Sequence, residues 1–390
     1  MSIELIALIV FVLFLTFFLI LKRKKIEIQK ILFPFLYFIL YKTKIGLKLM
    51  DKLSKKEKFV KVFNFASVFV GFLGMAAICF LLGQNLYKLI FFPSAVSGVG
   101  LVLPIKVKGA FYVPFFYWII SILVIASIHE FCHGLVARYH NIKVKSSGFA
   151  FLAVLLPIIP AAFVEPDEKQ IVKKKPKAQM QIFAAGPFSN LVLGFAILGI
   201  FALIANPIVD GTMVFNGANI TSMANDSVLL SSGVSVNESI IGIDNSNVTF
   251  VTDFSDIMDN KTPGSNILLK TDKSNYSVVL GKSPKNASMA YLGVSVAQNK
   301  DIKPGVAAKY GYFIPDALIW ILGLLYWLYL LNIGIGIFNL VPVGPIDGGR
   351  MLLIALEKYF KKDRARKIAG IISLIFLLMI VLNVLAGFIR

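Results

Sequence analysis

Five stretches of this chain run for twenty or more residues without one Asp, Glu, Lys or Arg: Val62 to Tyr87, Gly109 to Ile128, Ala178 to Val209, Ala317 to Ile346 and Ile368 to Ile389. About 20 apolar residues in a helix suffice to cross a hydrocarbon core of ~30 Å. A sixth stretch, Leu5 to Leu21, is a little shorter, and its cations (Lys22-Arg23-Lys24-Lys25) follow it rather than precede it. No small-residue cleavage site comes after, so it reads as a retained anchor rather than a signal peptide. With 57% hydrophobic and 16% charged residues, soluble globular folds are excluded. Two further apolar runs do not fit a span: Ile31 to Tyr41 is too short, and Ser146 to Val164 is interrupted by Pro157 and Pro160. Both read as interfacial or re-entrant pieces. Cys79 and Cys132 lie within apolar sequence, which leaves neither a disulfide framework nor a thiolate metal site.

A formal net charge of +19 would suggest nucleic acid in a soluble protein. Here the excess is confined to short flanks of the spans. Residues 22–61, 138–177 and 350–367 together hold 28 Lys+Arg against 8 acidic residues, whereas 88–108 and 210–316 hold 11 against 10. The two classes alternate along six spans. By the positive-inside rule the basic segments face the cytoplasm and both termini lie outside, so no nucleic-acid partner is implied and the lipid bilayer is the partner.

Residues 211–305 differ in kind, being rich in Asn, Ser, Thr and Val with short alternating runs such as Ser239 to Ile243 and Tyr276 to Leu280. All seven N-x-Ser/Thr sequons fall there, at Asn219, Asn225, Asn237, Asn247, Asn260, Asn275 and Asn286, in agreement with an extracytoplasmic insert. The expected organisation is an anchor helix with a basic cytoplasmic segment (1–61), a transmembrane region (62–210), a β-rich extracytoplasmic domain (211–305) and a second transmembrane region (306–390).

Only three histidines occur, and two of them stand in His129-Glu130-Phe131-Cys132-His133. At helical spacing i and i+4 stack on one face, so both imidazoles can reach one Zn²⁺ while Glu130 lies beside its open position. Arg138 is eight residues beyond Glu130, so the carboxyl lies about 12 Å inside the first flanking cation. Ionisable groups at that depth mark a functional site. A catalytic zinc usually takes a third protein ligand. His140 lies about 10 Å further along the axis than His133 and reads as a surface residue. Asp347, in Asn339-Leu-Val-Pro342-Val-Gly-Pro345-Ile-Asp347-Gly348-Gly349-Arg350, is the better ligand: Arg350 marks for it the edge that Arg138 marks for the histidines. Its prolines and glycines describe a span that unwinds near its end.

These residues resemble the site-2 protease family of intramembrane zinc metalloproteases. HEFCH matches its first motif, NLVPVGPIDGG is similar to its second, and Ala184-Ala-Gly186-Pro187-Phe-Ser-Asn190 resembles its GPxxN element. Ile346 stands where Leu is usual. The insert's Glu238-Ser-Ile-Ile-Gly-Ile-Asp244 and Pro263-Gly264 look like the second half of a PDZ domain. The resemblance covers about 110 to 390 and implies a polytopic α-helical membrane protein of about six transmembrane helices with an inserted PDZ-like extracytoplasmic domain. It further implies a multi-pass zinc metalloendopeptidase of the cell membrane acting on transmembrane protein substrates near the cytoplasmic side, with one Zn²⁺ per chain. His129, His133 and Asp347 would hold the metal, and Glu130 would be the general base and then the proton donor. The re-entrant stretch could offer an edge for strand addition, and Asn190 and Asn339 could bind the opened substrate backbone or, equally well, join neighbouring helices. The insert, without His or Cys, reads as a gate or receptor. A homo-oligomer is left open.

Three other readings compete. A metal transporter would want polar residues through several spans. A catalytically silent PDZ-bearing adaptor would tolerate loss of Glu130 or Asp347, and both are present. Another membrane HExxH protease would leave the DGG motif and the insert unexplained.

Overall fold

A computed structural model describes residues 3–32, 36–92, 95, 97–154, 156–284 and 286–389. The chain divides into two compact units, Met1–Ile200 with Leu322–Arg390, and Phe201–Ile321.

In chain order the first unit opens with α1 (Ile3–Leu21), the strands β1 (Ile26–Leu32) and β2 (Leu36–Thr43), then α2 (Leu47–Ser54) and α3 (Glu57–Phe91). A short parallel pair, β3 (Leu101–Leu103) and β4 (Ala110–Tyr112), precedes α4 (Phe115–Tyr139). Next come β5 (Val144–Val154), β6 (Leu156–Pro166), α5 (Glu168–Val172) and α6 (Pro176–Ile200). The second unit holds α7 (Asn206–Thr212), β7 (Met213–Met223), β8 (Ser239–Ile243), β9 (Ser246–Asn247), α8 (Val251–Asp259), β10 (Asn266–Thr271) and β11 (Asn275–Val279). It continues with β12 (Gly281–Lys282), β13 (Ala290–Tyr291), β14 (Val294–Ile302) and α9 (Pro304–Tyr310). The chain then forms α10 (Phe313–Phe338), α11 (Asp347–Glu357) and α12 (Lys362–Ile389).

Among the described residues six helices are long and apolar enough to cross a membrane, namely α1, α3, α4, α6 with its continuation to Thr212, α10 and α12. They coincide with the six charge-free stretches. The surfaces of α1, α3, α6 and α12 carry exposed Leu, Ile, Val and Phe along most of their length, as lipid-facing helices do, whereas α4 exposes only Phe116 among its large apolar side chains. Within this unit polar side chains are turned inward instead: Asn64, Ser67, Ser121 and Asn190 are buried.

The two ambiguous apolar runs come together in the structure. Both are strands of one antiparallel sheet of order β1-β2-β5-β6, in which β2 pairs with β5 from Leu36↔Val154 to Thr43↔Ser147. Residues 33–35 and Leu155 of these runs lie outside the described residues. One face of the sheet packs on α1, where Leu15 and Leu19, one turn apart, meet Ile39, Phe151 and Ala153. The basic segment after α1 is therefore folded, since β1 and β2 extend the sheet and α2 follows. β6 is the terminal strand of the sheet order, and it packs beside α4.

The second unit has its own core under a six-stranded sheet of order β11-β10-β8-β7-β14, with β9 paired to β8. Ile220, Ile240, Ile243, Ile267 and Leu269 are almost wholly buried there, with Phe254 of α8 packed on them. Glu238 is 2% exposed and accepts hydrogen bonds from Ser235 N (3.0 Å), Thr271 Oγ1 (2.9 Å) and the Tyr276 hydroxyl (3.2 Å). These donors offset the cost of burying a carboxylate.

Candidate metal centre

α4 carries His129 and His133 one turn apart on the same face, and the turn after α10 returns Asp347 to them. That turn is held by Gly348, whose N–H donates to the Asn339 carbonyl at 2.8 Å. A Cβ on Gly348 or Gly349 would collide with the Leu340 or Val343 carbonyl, so the two glycines let the first turn of α11 close against the loop and fix the position of Asp347.

His129 Nε2, His133 Nε2 and Asp347 Oδ2 form a nearly equilateral triangle with edges of 3.1, 3.1 and 3.3 Å. A tetrahedral ion with bonds of about 2.0–2.1 Å has ligand–ligand edges of about 3.3 Å, so the three atoms are spaced as such an ion requires. The imidazoles are also held for ligation. His133 Nδ1 is 2.6 Å from the Ile182 carbonyl and must donate to it, which leaves Nε2 with a free lone pair. His129 Nδ1 is 3.1 Å from the Asn190 side-chain amide. When Nε2 of His129 binds a metal, Nδ1 carries the proton, so the amide must turn its oxygen to the ring. In the opposite setting Asn190 Oδ1 is buried without a partner; turning the amide gives this oxygen the ring N–H and places Nδ2 in its former position. The donor set of two neutral imidazoles and one carboxylate suits Zn²⁺.

Gly186 of α6 lies against this face. A Cβ there would strike His133 Nε2 and stand 2.5 Å from His129 Nε2. Glu130, next along α4, accepts the backbone N–H of Val164 of β6 at 3.0 Å. Glu130, His129, His133, Asp347, Asn339 and residues 161–166 of β6 line one cleft of about 970 Å³. Arg350 stands at its margin, with its guanidinium 5.1 Å from the Phe183 ring centroid.

The two asparagines part company. Asn339 is on the cleft wall, its Nδ2 donating to the Ile335 carbonyl at 3.1 Å. Asn190 is fully buried behind His129, against whose Nδ1 its side chain lies. His140 is 2.8 Å from Gln181 Oε1, and burial pushes its imidazole below the ordinary range, against the Gln181 contact. Next to the cleft, Glu165 accepts from Ser146 Oγ at 2.6 Å and Lys42 Nζ at 3.1 Å, and these donors, Ser146 first, hold its carboxyl below the usual range. The sequence reading missed Val164 and Lys42; no motif marks either, and both act through pairings distant in the chain.

The model of Peptidase family M50 matches residues 117–382, more than half of the chain. An "Uncharacterized protein" of Methanocaldococcus jannaschii is 25% identical over 80% of this chain and 75% of its own length. A "Putative zinc metalloprotease" of Fusobacterium nucleatum is 24% identical over 66% of this chain and 89% of its own length. The PDZ domain of the SdrC-like protein from Listeria monocytogenes aligns at 16% identity with a TM-score of 0.19, covering 21% of this chain and 88% of its own, a score too low to bear on the fold.

Proposed function

Because this chain belongs to peptidase family M50, we propose that it is a zinc metalloendopeptidase that hydrolyses peptide bonds within or near transmembrane segments of membrane-protein substrates. The observation that carries this reading is the His129–His133–Asp347 triangle with each histidine's Nδ1 engaged on its far side. Zinc bound there would polarise the scissile carbonyl and bring the pKa of water toward about 7.

The residues of the chain divide the remaining work. His129, His133 and Asp347 hold the ion, and Asn190 orients His129 from behind rather than binding substrate. Glu130 takes a proton from the attacking water and returns it to the leaving amine. β6 receives the substrate as an added strand. Val164 N–H points at Glu130, away from β5, and by the alternation of an antiparallel ladder Ala162 presents its N–H and C=O on that same side. An unwound segment paired there would lie along the cleft, with Asn339 opposite it.

The site lies near the cytoplasmic face, on the count of Lys and Arg around it, and the β-rich unit outside, where a PDZ-like fold would bind a peptide end or exclude bulky outer domains. The test is purified Glu130→Gln and Asp347→Ala, assayed for zinc content and for cleavage of a labelled transmembrane peptide. Glu130→Gln is expected to keep zinc and lose at least 100-fold in rate, and Asp347→Ala to lose zinc. Full activity in the first or unchanged zinc in the second would overturn the corresponding role.

A further inference from the structure

A second concavity, of about 600 Å³, opens where α1 ends, at the foot of the β1–β2 hairpin. Five lysines line it, Lys24, Lys25, Lys42, Lys44 and Lys145, against one acid, Glu27. Lys42 is already engaged, at 2.6 Å from Glu27 and 3.1 Å from Glu165. Lys24, Lys25, Lys44 and Lys145 are exposed, and among the described residues none of them has a carboxylate at ion-pair distance. Four unpaired ammonium groups around one bowl repel one another unless an anion sits between them.

The position of the bowl says which anion. Its lysines begin three residues after the apolar helix α1, and just above them Phe17, Ile20 and Leu21 are exposed on that helix. A headgroup in the bowl would have its acyl chains against this apolar surface, which a soluble phosphate could not use. We propose that the bowl binds the headgroup of an anionic phospholipid, with Lys24, Lys25, Lys44 and Lys145 on the phosphate and α1 along the chains. Each lysine near an anionic headgroup contributes about as much as a fewfold change in affinity. Ser146, on the bowl wall, and Lys42 stay with Glu165, so binding leaves the sheet's own ion pairs in place.

The experiment titrates phosphatidylglycerol, and phosphatidylcholine as its neutral counterpart, into the delipidated full chain in detergent and reads bound lipid by native mass spectrometry. The pocket variant is K24Q/K25Q/K44Q/K145Q, and the control K48Q/K52Q/K55Q/K58Q removes the same charge from exposed positions of and around α2. A thermal scan verifies that both fold, and the ion pairs of Lys42 are untouched in each. The native chain and the control are expected to bind the first phosphatidylglycerol at least tenfold more tightly than the pocket variant does, with no such difference for phosphatidylcholine. Equal loss in both variants would reduce the effect to surface charge and overturn the site. Displacement of the lipid by glycerol phosphate at equal concentration would overturn the lipid assignment in favour of a free phosphate.

Discussion

Val164 and Glu130, 34 residues apart, are joined by a 3.0 Å hydrogen bond from a backbone N–H on the free side of an edge strand to the carboxylate of the HExxH helix. The acid's orientation is thus set by the strand proposed to receive the substrate. Any displacement of β6 along α4 would move that carboxylate relative to the two histidines beside it.

Val164→Pro deletes this donor without altering a side chain in the metal triangle, and edge strands accept proline; β6 already ends at Pro166. A hydrogen bond to a charged acceptor is worth about 1.5–3 kcal/mol, so the rate of peptide cleavage should fall by about tenfold to a hundredfold. Zinc content should stay at the native level. A variant with native activity would show that Glu130 does not depend on the strand.

Gly186→Ala introduces a methyl group against both metal-facing nitrogens. The imidazoles cannot swing away, because Ile182 and Asn190 hold their other nitrogens. The expected result is loss of bound zinc, measured by elemental analysis, together with activity. Gly199→Ala on the same helix is the control: its Cβ would meet nothing within 4 Å, so it should bind zinc normally and be as stable as the native chain or slightly more so. Equal zinc in the two variants would refute the close approach of α6 to the histidines.

The meeting of His129, His133 and Asp347 was legible because each position depends on local geometry. His129 and His133 are fixed by helical spacing, and Asp347 by a Pro/Gly-rich turn whose glycines are needed for close backbone contacts. The spans were legible because twenty uncharged residues have few other fates. The sheet order was not. Ile31 to Tyr41 is apolar throughout and shows no period-two alternation, and its partner β5 lies more than a hundred residues away. Asn190 was visible as part of a motif, but its partner was not: a hydrogen bond across 61 residues leaves no trace in spacing, so a polar residue in a span read equally well as a substrate contact.

Asp244 offers a pH test of the β-rich unit. Its carboxylate accepts from Lys261 Nζ at 2.6 Å and Leu268 N at 2.8 Å, and these contacts, Lys261 first, hold it below the usual carboxylate range. The ionised form is the one that is stabilised. Its contribution is therefore fully present above the unfolded value of about 3.9 and disappears as pH falls through the lower folded value. Asp244→Asn should lose at most about 1 kcal/mol at pH 7, since the group is partly exposed. Asn tolerates the left-handed backbone at this position (φ 55°), so no strain confuses the comparison. Hydrogen exchange of β8 and β10 amides should show the two proteins converging below pH 4. A gap as large at pH 3 as at pH 7 would rule out ionisation as its source.

Asn190 provides the sharpest separation between positioning and substrate binding. If it accepts the Nδ1 proton of His129, Asn190→Leu removes the acceptor and leaves the ring free to take the wrong tautomer. Zinc affinity should then fall about 10–100-fold, the usual effect of losing such a partner. Asn190→Asp keeps an acceptor at the same place and should retain zinc far better than the leucine variant. Competition with a chelator of known affinity measures both without any peptide substrate. A residue that bound only substrate would leave zinc affinity unchanged in both variants and raise the KM for peptide instead. Native zinc affinity in Asn190→Leu would therefore return Asn190 to the substrate side of the site and leave His129 oriented by α4 alone.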